Sequence, residues 1–89
     1  MAGPLTVLIR NKRGLHARAS ARFVTLASTF DAVVTVAKDG ASVVGTSIMG
    51  LMMLSAAPGD TVDLSAEGVQ ADAALAALVA LVEGKFGED

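Results

Sequence analysis

The stretch Ala32-Val33-Val34-Thr35-Val36-Ala37-Lys38-Asp39-Gly40-Ala41-Ser42-Val43-Val44 decides the architecture. Its β-branched residues favour strand over helix, and the polar Lys38-Asp39-Gly40 divides it into strands Ala32–Ala37 and Ala41–Val44. Asp-Gly between two such runs is the signature of a tight hairpin, because its residues tolerate the positive φ that a two-residue turn demands. The sheet is therefore antiparallel where it is first read.

Working outward, the run from Pro4 to Arg10 contains Leu5, Val7, Leu8 and Ile9, too short for a helix and β-branched enough for a strand. Asn11-Lys12-Arg13-Gly14 breaks it. From Ala17 to Phe30, Ala19, Phe23, Ala27 and Phe30 recur at three- and four-residue spacing, which predicts an amphipathic helix with Arg18, Arg22 and Thr25 on its outer side. Downstream of the hairpin, Ser47 precedes the apolar Ile48–Leu54, read as a short capped helix with an unfavourable interior glycine. Pro58-Gly59 marks a turn, and Thr61–Ser65 alternates as a half-buried strand does. Between Gln70 and Lys85 an alanine-rich helix carries the stripe Leu75, Leu78, Val79 and Val82, with Gly84 and Gly87 expected to fray its end.

The order is β-α-β-β-α-β-α, with no internal repeat and no long linker, so residues 1–89 read as one domain. Strands with one polar face need cover on one side only, giving an α+β fold with helices packed on one face of a mainly antiparallel sheet. Alanine and valine supply 28 of the 47 hydrophobic residues, which implies close approach of helix to sheet.

Composition removes several chemistries. There is no cysteine, hence no disulfide scaffold, thiolate metal site or thiol nucleophile, and one histidine cannot make a multi-histidine metal site. The three aromatics are all phenylalanine, too few for base-stacking recognition of nucleic acid. No apolar run approaches the roughly 18 residues of a membrane span, and no charged segment precedes the first one. These features predict a cytoplasmic protein without membrane insertion, metal or cofactor.

The net charge of −2 conceals a strong division. Residues 1–30 hold Arg10, Lys12, Arg13, Arg18 and Arg22 and no acid, a charge of +5, whereas residues 31–89 hold two lysines against nine carboxylates, a charge of −7. His16 stands inside the basic segment, at or beside the N-cap of the first helix. Unpaired amides of a helix start disfavour an imidazolium, by roughly 0.3–1 kcal/mol for an exposed group, and welcome an anion. A lone histidine here is commonly a plain cap. Its basic neighbours, the upstream glycine and the helix opening at the ring point instead to phosphate handling.

These residues also carry a resemblance. Gly14-Leu15-His16-Ala17-Arg18 followed by Phe23-Val24 resembles the active-site signature of the HPr family, the histidine-containing phosphocarriers of the phosphoenolpyruvate-dependent phosphotransferase system. Gly45-Thr46-Ser47-Ile48-Met49-Gly50-Leu51-Met52-Met53-Leu54 resembles the family's regulatory-serine region. The resemblance implies an open-faced β-sandwich, four antiparallel strands with three helices on one face. It implies phosphorylation of His16 on Nδ1 by enzyme I and transfer to an IIA domain. Arg18 would stabilise the phosphate, with the backbone amide of Ala17 at the helix start. Ser47, on its residue type a plain N-cap, would be the target of HPr kinase/phosphorylase.

Ile48, Met49 and Met52 would form a docking patch on a monomer, while Leu51, Leu54 and one or two methionines enter the core. Ala19 stands where many members have proline, and Thr46 where lysine is frequent; with Gly-Leu-Met-Met-Leu these resemble the proteobacterial nitrogen-type, NPr-like branch. Two other readings are a non-catalytic partner-binding module switched by phosphorylation and, weakest, a small nucleic-acid binder, which a pI near 5.1 disfavours.

Overall fold

The computed structural model describes residues 1–88. Strand β1 spans Ala2–Leu8, helix α1 Ala17–Ala27, strands β2 and β3 Val33–Lys38 and Ala41–Val44, helix α2 Ile48–Met53, strand β4 Thr61–Glu67 and helix α3 Ala71–Glu83, followed by a 3₁₀ turn over Lys85–Gly87. The strands form one antiparallel sheet in the order β1-β4-β2-β3. The predicted four-stranded sheet with three helices is present, and β4, the last strand in sequence, lies between β1 and β2.

The hairpin is as its sequence required. Lys38 pairs with Ala41, and Asp39 and Gly40 take φ of 51° and 84°, the doubly positive turn that matches strand twist. In the central strands, alternate residues point to the helices: Val34 and Val36 from β2, and Val62, Leu64 and Ala66 from β4, are all buried. Helix α3 covers β1, β4 and β2, and α1 packs against both α2 and α3. From α1 come Ala19, Phe23 and Ala27, and from α3 Ala71, Ala74, Leu75, Leu78 and Val82; Phe30 and Val79 are only partly buried.

Helix α1 ends three residues before the predicted Phe30. The amides of Thr29 and Phe30 bond the carbonyls of Leu26 and Ala27 at 3.1 and 3.3 Å, three residues back instead of four, and the hydroxyls of Ser28 and Thr29 add bonds to the carbonyls of Val24 and Leu26, each at 2.7 Å. Strand β1 begins and ends two residues earlier than expected. Ile9 nevertheless continues the pairing, donating to the Asp60 carbonyl and accepting from Gly59, both at 2.9 Å.

The end of α3 is the larger correction. Gly84 donates to the Ala80 carbonyl at 2.9 Å, and the chain turns through Lys85 and Phe86, both at positive φ, instead of fraying. Phe86 is only 1% exposed. Burying a phenylalanine side chain stabilises by about 1.5–3 kcal/mol, which works against the cost of two left-handed residues at about 1 kcal/mol or more each. Arg22 of α1 donates to the Phe86 carbonyl and fastens this turn to the first helix.

Candidate active site

The site begins where β1 gives out. Asn11 is fully buried, and its side-chain amide donates to the Gly14 carbonyl at 2.8 Å while the Gly14 amide returns to the Asn11 carbonyl at 3.3 Å. The loop is thereby closed on itself. Gly14 has φ +64°, and a Cβ there would collide with the carbonyl oxygen of Ala56. The next residue, Leu15, donates its amide to that same carbonyl at 3.0 Å. So the loop before α1 is fixed to the segment after α2, and His16 emerges at a set place.

His16 is the N-cap of α1, with extended backbone at φ −74° and ψ 179°. Its carbonyl accepts from the Ser20 amide at 2.9 Å, and its Nδ1 accepts from the Arg18 amide at 3.2 Å. Ring nitrogen Nε2 lies 2.7 Å from Oε2 of Glu88. An ionised carboxylate only accepts and a backbone amide only donates. Both contacts are therefore satisfied together by one tautomer, with hydrogen on Nε2 and the lone pair on Nδ1, directed at the helix start.

Glu88 is held in turn. Its other oxygen accepts from the side chain of Asn11 at 3.0 Å. That hydrogen bond, followed by the hydrogen bond and charge of His16 and the charge of Arg22, holds the carboxyl below its ordinary value against the opposing effect of desolvation. The facing side chains of His16 and Glu88 are 15% and 16% exposed, so the ring is reached from one side.

Lys12, Arg13, His16, Arg18 and Glu88 line a concavity of about 230 Å³. Three cations thus surround the ring. Of the five basic residues in the first segment, Arg22 is engaged with Phe86 and does not line this hollow; neither does Arg10. Ala17 and Arg18 are exposed, and Ala19, in the first turn, is fully buried. No group of three or more His, Cys, Asp or Glu with metal-holding geometry occurs among the described residues.

Ser47 caps α2, its Oγ accepting from the Gly50 amide at 2.9 Å. Beyond it Ile48 and Met52 are each 40% exposed, Met49 71% and Met53 77%. The inward positions of this six-residue helix go to Leu51, with Leu54 just past its end, so none of its methionines enters the core, contrary to the expectation that one or two would. Neither Ser47 nor the α2 side chains line the concavity around His16.

Sequence reasoning missed Asn11 and Glu88. Asn11 looked like a loop residue, and Glu88 is 72 positions from the ring it touches. Phe86 was the available signal: an aromatic beyond a helix-ending glycine, in a chain with three aromatics in all, is worth burying.

A partly buried histidine with its Nδ1 lone pair at a helix start, ringed by cations on an open-faced α+β sandwich, is an arrangement suited to a phosphoryl carrier. A family model described as the PTS HPr component phosphorylation site matches residues 5–84, and the chain belongs to the HPr family of phosphotransferase-system phosphocarriers. It is 48% identical over 83 residues to the phosphocarrier protein HPr of Neisseria meningitidis, covering 93% of each chain. It is 46% identical over 82 residues to the phosphocarrier protein NPr of Shewanella violacea, covering 92% of this chain and 90% of that one. The crystal structure of HPr-C-His from Thermoanaerobacter tengcongensis superposes with a TM-score of 0.94 at 48% identity, covering 99% of both chains. No helix among the described residues is long and apolar enough to cross a membrane.

Proposed function

We propose that this chain works as a monomeric, single-domain, cytoplasmic phosphocarrier that accepts a phosphoryl group from enzyme I on Nδ1 of His16 and donates it to an IIA domain. The observation that carries this reading is the tautomer: the Nδ1 lone pair accepts from the Arg18 amide, so the nucleophilic nitrogen and the helix-start donor face one another. When Nδ1 attacks phosphorus, the N–P bond forms as the bond from phosphorus to its donor breaks, and the donor keeps the electron pair. The phosphoryl oxygens then meet the Ala17 and Arg18 amides and the guanidinium of Arg18, all matched to an anion. Partial exposure leaves the phosphate accessible to an acceptor.

Ser47 is the regulatory site in this reading. A phosphate there adds about −1.5 to −2 charge at the start of α2, beside the exposed Ile48, Met49 and Met52 that serve as the partner-docking patch. Ala19 and Thr46 favour the NPr-like branch.

The test is phosphorylation with phosphoenolpyruvate, magnesium and a cognate enzyme I. Acid-labile label on the wild type that disappears in His16→Ala is expected. An unlabelled wild type, or undiminished label on His16→Ala, overturns the reading.

A further inference from the structure

Helix α2 carries nearly all the sulfur of this chain. The sequence has four methionines and no cysteine, tryptophan or tyrosine, and Met49, Met52 and Met53 fall within one short stretch. Their direction follows from what lies under the helix. A Cβ on Gly50 would stand 3.0 Å from the Cβ of Val43, so the helix backbone rests against β3 there, and Leu51 and Leu54 are buried on the same side. Successive residues turn by about 100° around a helix. With Gly50 and Leu51 inward, the outer arc runs Ile48, Met52, Met49, Met53, and Met49 has a sulfur on either side of it. Met49 and Met53 are the more exposed, Met52 the less.

The surroundings give this arc its chemistry. From Gly40 to Gly59 the chain has no charged residue and no histidine, so the outer face of α2 meets a partner through apolar contact alone. None of the three methionines is in the core, so a change of polarity at sulfur falls on the surface and spares the packing that holds the helix.

We propose that Met49, flanked by Met52 and Met53, is a reversible oxidation site, at which conversion of the thioether to a sulfoxide by a peroxide weakens docking of enzyme I and leaves the fold intact. The inference rests on the reading that Ile48, Met49 and Met52 form the docking patch. In the oxidation, a sulfur lone pair attacks one peroxide oxygen. The S–O bond forms as the O–O bond breaks, and the departing hydroxide takes the proton of the transferred oxygen and leaves as water. Sulfur is oxidised and the peroxide reduced. A dithiol reverses the change: its sulfurs join as a disulfide and the sulfoxide oxygen leaves as water. The sulfoxide is polar where the thioether was apolar and adaptable, and an apolar partner surface offers its oxygen no hydrogen bond. Unlike a phosphate on Ser47, it acts without adding charge.

The test treats the full chain with hydrogen peroxide, removes the peroxide, and titrates the protein with enzyme I by calorimetry, with peptide mass mapping to place each added oxygen. Oxidation of Met49 and Met53 is expected ahead of Met52. The dissociation constant for enzyme I should rise about tenfold, with an unchanged circular dichroism spectrum and recovery after methionine sulfoxide reductases and a dithiol. The triple variant Met49→Leu, Met52→Leu, Met53→Leu, compared with its own untreated sample, should not respond to peroxide, although Met1 remains oxidisable. An unmoved dissociation constant once Met49 is oxidised, a spectrum lost on oxidation, or a triple variant that responds as the wild type does overturns the oxidation site. Label on His16 then leaves the phosphocarrier reading standing. A wild type that, before any peroxide, neither takes label on His16 nor binds enzyme I overturns both.

Discussion

The guanidinium of Arg22 holds the carbonyl of Phe86, joining the middle of α1 to the turn beyond α3. Phe86→Ala removes a buried ring from the core and the anchor of that turn. It is expected to lower unfolding stability by about 3 kcal/mol, measured by urea denaturation. Arg22→Ala leaves the ring in place and is expected to cost about 1 kcal/mol. Equal stability of Phe86→Ala and wild type would show that the turn is not anchored by its ring.

Gly14→Ala combines a left-handed backbone with a collision against the Ala56 carbonyl, whereas Gly40, at φ +84°, has nothing within 4 Å of the same added atom. Gly40→Ala is expected to cost about 1 kcal/mol and Gly14→Ala about 2 kcal/mol or more. Thermal melts of the two variants side by side check the order.

Arg18→Ala should leave the fold unchanged, since its side chain is exposed at the mouth of the concavity. Phosphoryl transfer is expected to slow about tenfold, the loss of one charge-assisted contact. Stopped-flow or quench kinetics with an unaltered circular dichroism spectrum would establish this, and unchanged rates in both directions would show that Arg18 does not handle phosphate.

Two substitutions separate the roles of Ser47. Ser47→Ala loses the cap on the Gly50 amide and is expected to cost about 1 kcal/mol of stability without altering affinity for enzyme I. Ser47→Asp keeps an acceptor for that amide and adds charge, and is expected to weaken enzyme I binding by about tenfold. Calorimetry reads both, and a dissociation constant unmoved by Ser47→Asp refutes the regulatory assignment.

Glu88 has a pH signature in stability. Its folded carboxyl lies below the ordinary value of 4.5, so its contribution is present above that value and disappears as pH falls through the folded one. The melting temperatures of wild type and Glu88→Gln are expected to differ at neutral pH and converge in acid below the ordinary carboxyl range. A gap that persists unchanged into acid would refute the coupling.

The elements that were legible in the sequence owe it to short-range causes. The Asp39-Gly40 turn, the Phe23 and Ala27 stripe and the helix start at His16 are each written within a few residues of one another. Leu51 and Leu54 were also readable as core. What the sequence left unread depends on distant partners: Glu88 meets His16 only because Phe86 is buried, and Asn11 is buried only because the Gly14 loop closes against Ala56. The fate of the α2 methionines was misjudged for a related reason. How many side chains a six-residue helix buries is set by the surface it lands on, not by its own hydrophobicity.

The pairing of His16 with Glu88 closes a loop that contains most of the chain, including β2, β3, α2, β4 and α3. A ring nitrogen is therefore governed by the least local contact available to it. Local opening of the turn around Phe86 would release the imidazole to exchange its proton between nitrogens while the sheet stays intact. Amide exchange at Gly87 and the tautomer of His16 should then report the same equilibrium, read once from the backbone and once from the ring.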